Sequence, residues 1–103
     1  MKTYTICGSM KFGKEMQEIA YDLETKKGYN VLQCVYNITN TEPNEEERNN
    51  LASAQYKRID MSDGIYVVNI DGYIGTSTSA EIDYARKTGK EIRYHREISD
   101  RNC

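Results

Sequence analysis

The chain alternates between two hydrophobic periods. Residues 3–7, "TYTIC", form a short apolar run that reads as a first strand, and "GSMKFG" follows it as a turn. Phe12, Met16, Ile19, Ala20 and Leu23 then recur at helical spacing, predicting a helix over 14–27 that "KKG" at 26–28 stops with basic residues and a glycine. A second strand is expected at 30–36, "NVLQCVY". After the polar loop "NITNTEPN", Leu51, Ala52, Gln55, Tyr56 and Ile59 form the inner stripe of a helix over roughly 45–61, with Asn44 as its N-cap and three glutamates at the positive end of its dipole. "IYVVNI" at 65–70 is the most apolar run and the best central strand. A helix of about 78–88 and a last strand at 91–95, "EIRYH", complete the pattern, and a polar tail "REISDRNC" ends the chain.

The order β-α-β-α-β-α-β implies an α/β fold. A single flavodoxin-like or Rossmann-like three-layer domain over 1–103 is expected, with right-handed crossovers and a parallel sheet of four strands (five at most) in the order 2-1-3-4. In that order the chain direction switches between strands 1 and 3, and ligands bind beyond the strand C-termini at the switch. "CGSMKFG" and "DGYIGTSTSAE", the two segments richest in Gly and Ser, flank that crevice. Topology and composition thus point to one place.

Composition narrows the function. The 103 residues carry a formal net charge of −2, which gives no basic field for nucleic acid. No 20-residue apolar span and no signal-like N-terminus is present, so a cytoplasmic protein that does not enter membranes is expected. Three cysteines in irregular spacing and a single histidine, His95, argue against a disulfide framework and against a zinc site. Nine tyrosines, and the exposed edges of a four-stranded sheet, favour a homodimer or a larger homo-oligomer.

The first loop is not GxGxxG, so the dinucleotide fingerprint is missing. Cys7 is not a phosphatase nucleophile, because the sixth residue after it is Gly13 and not an arginine; it reads as a small core residue. Strand 1 ends without the carboxylates of a phosphorylated receiver. Gly8 permits close approach of a ligand to the backbone. The amides of Ser9, Met10 and Lys11 suit an anion or a hydroxyl-rich sugar, with Lys11 adding a charge. In the second loop "TSAE", Thr78 to Glu81, matches a capping box, in which Glu81 would merely reach back to the cap amide. That leaves "GTSTS" unexplained, and its hydroxyls, Ser77 and Thr78 among them, are candidate substrate contacts. A carboxylate in the first turn of a helix stays ionised, and an ionised carboxylate above the crevice is what attack on a sugar C1 requires. Asp71 is placed to protonate a leaving base or to orient a ribose hydroxyl, and it is equally a turn residue. Asn69 and Tyr73 are further candidates, the second for stacking on a base.

"TICGSMKF", "SDGIYVVN" and "SAEIDYARKTGKEI" together resemble the nucleoside 2-deoxyribosyltransferase superfamily over roughly residues 3–95. The resemblance implies that Glu81 is the nucleophile, that a nucleoside or nucleotide is the substrate, and that no metal or cofactor is needed. It also implies that Gly8, Ser9 and Lys11 hold a 5′-phosphate. Two positions depart from the family pattern. Thr5 stands where members carry a tyrosine near the end of strand 1. The family's aspartate of the second helix is not matched, because Asn49, Asn50 and Ala52 occupy the candidate positions. The alternative is a non-catalytic module that senses or sequesters a nucleotide-like ligand on the same fold.

Overall fold

The structure is a computed structural model that describes residues 1–96; residues 97–103, with most of the polar tail and Cys103, lie outside the described residues. Four strands, β1 (Thr3–Gly8), β2 (Asn30–Leu32), β3 (Gly64–Val68) and β4 (Glu91–Tyr94), form one all-parallel sheet in the order β2-β1-β3-β4. The expected topology is therefore present. Helices α1 (Gly13–Lys27), α2 (Glu45–Asp60) and α3 (Thr76–Lys87) provide the crossovers.

The sheet divides the core in two. Ile6 and Val68 pack with Val31 under Met16, Ala20 and Leu23 of α1. Cys7, Ile65 and Val67 pack on the other face under Ile59 of α2 and Ile82 and Ala85 of α3. Successive residues of β1 alternate between these two layers, as the strand period requires. On the α1 face, Arg93 and His95 are exposed and Tyr66 is half-buried, so the β3–β4 half of that face is only partly covered.

Helix ends follow the local chemistry. Gly28, at φ 72°, closes α1 in the left-handed conformation that its missing Cβ makes cheap. Asn44 caps α2 in a reciprocal capping box: Glu47 N–H donates to its side chain at 2.8 Å, and its own N–H donates to Glu47 at 2.9 Å. Asn44→Ala is expected to cost about 1 kcal/mol, which lowers the melting temperature by about 4–8 °C in a thermal unfolding scan.

Two elements differ from expectation. β2 stops at Leu32 instead of residue 36, because the segment beyond it leaves the β1 ladder. α3 starts at Thr76, earlier than residue 78. Gly75 is its N-cap, and no side chain caps it. The "TSAE" capping box is thus not formed: Thr78 is already inside the helix and buried, and Glu81 lies beyond the first turn.

Candidate functional site

The crevice is built where β1 and β3 turn outward into their loops. After β1, Ser9 N-caps a short 3-10 turn at Met10–Phe12, its hydroxyl accepting from Lys11 N–H at 3.3 Å. After β3, the chain bends through Ile70–Gly72, with Asp71 in the left-handed region at φ 54°. The two loops meet. Phe12 and Tyr73 pack edge to face with ring centroids 6.0 Å apart, and the Lys11 ammonium sits 3.6 Å from the centre of the Tyr73 ring. A cation over an exposed ring contributes about 0.5–1 kcal/mol. This contact clasps the mouth of the switch point. Tyr73 also lies back over Gly75, where an added Cβ would meet its hydroxyl at 3.4 Å.

Glu81 lies in the second turn of α3. Its place in the second turn removes the benefit of the helix dipole that a first-turn carboxylate would enjoy. Burial raises its pKa above the ordinary carboxylate value, and the donor groups of Cys7 and Gln55 near it oppose the rise. The carboxyl group therefore points inward, at the C-terminal end of β1, and is a stronger base than a solvated glutamate. The expectation of a dipole-stabilised side chain in the first turn is corrected on this point.

Gln55 is the functional candidate that sequence reading missed. It was counted only as part of the inner stripe of α2, and it is almost fully buried. Arg58 Nη1 donates to its carbonyl oxygen at 2.9 Å, which fixes the orientation of the amide. Its Nε2 therefore faces the sheet, donating to the Ile6 carbonyl at 3.0 Å and lying 3.6 Å from the Cys7 sulfur. A guanidinium, an amide and a thiol thus run in one connected line from α2 to β1, with the Glu81 carboxyl group nearby. The available signal was a polar residue in the middle of an otherwise apolar stripe. The β1 residue facing Glu81 is Cys7. Thr5 lies two residues before it on the same face, and its hydroxyl is occupied by Ser62 at 2.6 Å. Burial pushes the Cys7 thiol well above its usual pKa, and Glu81 adds to the rise.

The remaining candidates divide. Gly8 ends β1 beside Val68, and a Cβ there would lie 2.7 Å from the Met16 sulfur; its smallness serves helix packing. Met10 is half exposed at the rim, Ser77 is exposed, and Thr78 is buried in the first turn of α3. Asn69 is buried with both ends of its amide engaged: Nδ2 donates to the Arg96 carbonyl at 2.9 Å, and Oδ1 accepts from Arg96 N–H at 2.8 Å. It fixes the chain leaving β4. Asp71 stands in solvent with its side chain 90% exposed, 3.8 Å from the Arg96 guanidinium. Two shallow grooves flank α1; the larger, about 550 Å3, is lined by Met10, Lys11, Lys14, Gln17, Tyr36 and Ile38 among others, and neither includes Glu81.

Searches against profiles of known families, against characterised proteins and against solved structures returned no match. The chemistry of the site must carry the functional conclusion. No helix among the described residues is long and apolar enough to cross a membrane.

Proposed function

We propose that this chain cleaves or exchanges N-glycosidic bonds, with Glu81 as the nucleophile. The observation that carries the reading is the partly buried Glu81 carboxyl group, which lies near Cys7 and Gln55 at the C-terminal end of β1. In its ionised form it attacks C1 of a nucleoside or nucleotide, and the C1–N bond breaks as the base leaves with the bonding pair. The resulting glycosyl ester is resolved by a second base or by water. Gln55, held by Arg58, provides a donor near the carboxylate that favours its anion. Gly8, Ser9, Met10 and Lys11 provide a polar rim for a 5′-phosphate, and Ser77 and Thr78 lie at the start of α3 on the facing side. Tyr73 is positioned to exchange the Lys11 ammonium for a base. Asp71 reaches a leaving base only by swinging in from solvent.

Incubation with a panel of nucleosides, deoxynucleosides and 5′-monophosphates, read by chromatography, is expected to show free base. Adding a second base separates transfer from hydrolysis. Absence of base release across the whole panel would defeat the proposal. Gln55→Leu is expected to lower base release about tenfold, the loss of a nearby donor that favours the carboxylate anion. It should also move the acid side of the pH profile upward, because Glu81 loses a donor that favours its anion.

A second reading is a nucleotide-sensing module. It is favoured by the Lys11–Tyr73 clasp over the crevice and by the absence of Glu81 from both grooves. Tight binding of a monophosphate without base release, unchanged in Glu81→Gln, would support it. For either reading we propose a cytoplasmic homodimer. The free thiols of Cys7 and Cys34 suit a reducing compartment, and the partly uncovered β3–β4 face suits a second copy.

A further inference from the structure

The two edges of the sheet are treated differently. β2 is one edge and β4 the other. In β2 the Asn30 N–H turns to the β1 side and donates to the Lys2 carbonyl, so the Val31 N–H turns outward. Glu24 of α1 meets it there, its carboxylate accepting from Val31 N–H at 3.0 Å. That edge is plugged from within the chain. β4 has no such plug. Glu91 N–H and His95 N–H donate to the Asp63 and Val67 carbonyls on the β3 side. By the strand period Ile92 and Tyr94 turn their N–H and C=O groups outward, and among the described residues β3 is the only strand paired with β4. The lysine before the strand does not guard it: Lys90 Nζ donates inward, to the Asp60 carbonyl at 3.1 Å and the Ser62 carbonyl at 2.8 Å.

We infer that the β4 edge is a self-association surface, on which a second copy of this chain lays its own β4 antiparallel across a two-fold axis at Ile92. The contact joins the two sheets into one continuous sheet. It gives a place to the homodimer proposed above and rests on that reading; base release plays no part in it.

Charge selects the occupant and the register together. Side chains directly opposite in an antiparallel pair lie about 4.5–5.5 Å apart at Cβ. Within β4 only Ile92 and Tyr94 offer outward backbone groups, so the axis passes through Ile92, Arg93 or Tyr94. An axis at Arg93 sets two guanidinium groups against each other. An axis at Tyr94 sets Arg93 against the partner's His95. An axis at Ile92 sets Glu91 against the partner's Arg93, and Arg93 against the partner's Glu91, on the α1 side of the sheet. The two Ile92 residues then exchange a pair of backbone hydrogen bonds, and Tyr94 N–H faces the carbonyl of the partner's Lys90. Arg93 holds its own Glu91 through Nε, at 2.8 Å. Its terminal nitrogens have no partner among the described residues and are open to the facing carboxylate. Charged residues on an edge ordinarily repel a further strand. Two of opposite sign, two positions apart, instead match an antiparallel copy of themselves.

The test uses the full chain. In sedimentation velocity the wild type is expected to move from monomer to dimer as its concentration rises, and back toward monomer as salt is added. Hydrogen exchange followed by NMR should show the Ile92 and Tyr94 amides slowing by about tenfold between dilute and concentrated samples. Glu91→Arg alone and Arg93→Glu alone each set like charges opposite and are expected to stay monomeric. Mixed one to one they should form a heterodimer, because every facing pair is then opposite in sign. Circular dichroism checks that each variant is folded, and the amide measurement on the wild type needs no variant. A Glu91→Arg protein that dimerises like the wild type would overturn the axis at Ile92. A dimer whose Ile92 and Tyr94 amides exchange equally fast at every concentration would overturn the edge contact and leave the homodimer standing. Protection of those amides already in the monomer would show the edge covered by the chain itself and would also overturn it. A wild type that stays monomeric throughout would remove the contact and the homodimer together. Base release is assayed separately, so the enzymatic proposal stands or falls on its own result.

Discussion

Glu81→Ala is expected to abolish base release, with a loss on the order of a thousandfold or more, because removing a nucleophile leaves only binding and positioning. The more informative variant is Glu81→Gln, which keeps the size of the side chain and an oxygen for hydrogen bonding. Burial raises the Glu81 pKa, so the wild-type rate should climb with pH through a limb that lies above the ordinary range of a glutamate and then level off. The same shift sets a stability effect of opposite sense. A carboxyl group whose folded pKa is raised fits the folded state better when protonated. Its contribution to stability is full below its unfolded pKa and is lost as pH rises through its folded pKa. At neutral pH the glutamine variant is therefore expected to melt at a higher temperature than the wild type while releasing no base. Activity and stability would be measured on the same preparation across pH. A Glu81→Gln protein that turns over at the wild-type rate would place the nucleophile elsewhere.

Gly64→Ala is expected to destabilise the sheet by about 2–3 kcal/mol, the upper part of the usual cost of overpacking. Gly64 sits in β3 between Tyr4 of β1 and Glu91 of β4. An added Cβ would lie 2.5 Å from the Glu91 carbonyl oxygen and 2.8 Å from its Cβ, and backbone cannot move aside as a flexible side chain can. The missing side chain does a second thing. It opens a path over β3, along which the Tyr4 hydroxyl donates to Glu91 Oε1 at 2.9 Å on a strand that is not its neighbour. Arg93 Nε donates to that hydroxyl at 2.8 Å and to Glu91 Oε2 at 2.8 Å, and Lys2 adds an ion pair at 2.8 Å. Glu91 is held below the usual carboxylate range chiefly by its bond to Lys2. The alanine variant should lose this network together with the strand spacing, and chemical denaturation would read the loss as a lower midpoint.

The sheet order was legible because hydrophobic period and chain order are strong, redundant signals. Each helix stripe and each apolar run reports the same alternation. Boundaries were less legible. β2 carries strand-like residues as far as Tyr36, but a strand exists only where a partner pairs with it, and Val35 and Tyr36 have no partner in the ladder. The start of α3 was misplaced because "TSAE" offers a cap that the backbone does not use; Gly75 begins the helix in spite of its lack of a capping side chain. The two loops were correctly brought together by topology alone, which is how Lys11 and Tyr73 come to touch. Asn69 shows the opposite case. Its task depends on Arg96, distant in sequence, and no local pattern announces such a pairing. Gln55 and Cys7 were passed over for a related reason: each sits at a core position by period, and only the third dimension shows that the core there opens onto a carboxyl group.

The shortness of β2 reaches beyond the count of strands. Only three residues of it are tied to β1, all at the end away from the site. Between Leu32 and the Asn44 cap the backbone has no sheet partner, so its amides are expected to exchange with deuterium far sooner than those of β1 and β3. The molecule has a hinge-like seam, sewn at one end and open at the other. The cheapest excursion from the native state is for residues 33–43 to peel away while β1, β3 and β4 stay paired. That partial opening would uncover Cys34 and give solutes a route to Glu81 from the side, without unlocking the loops above it.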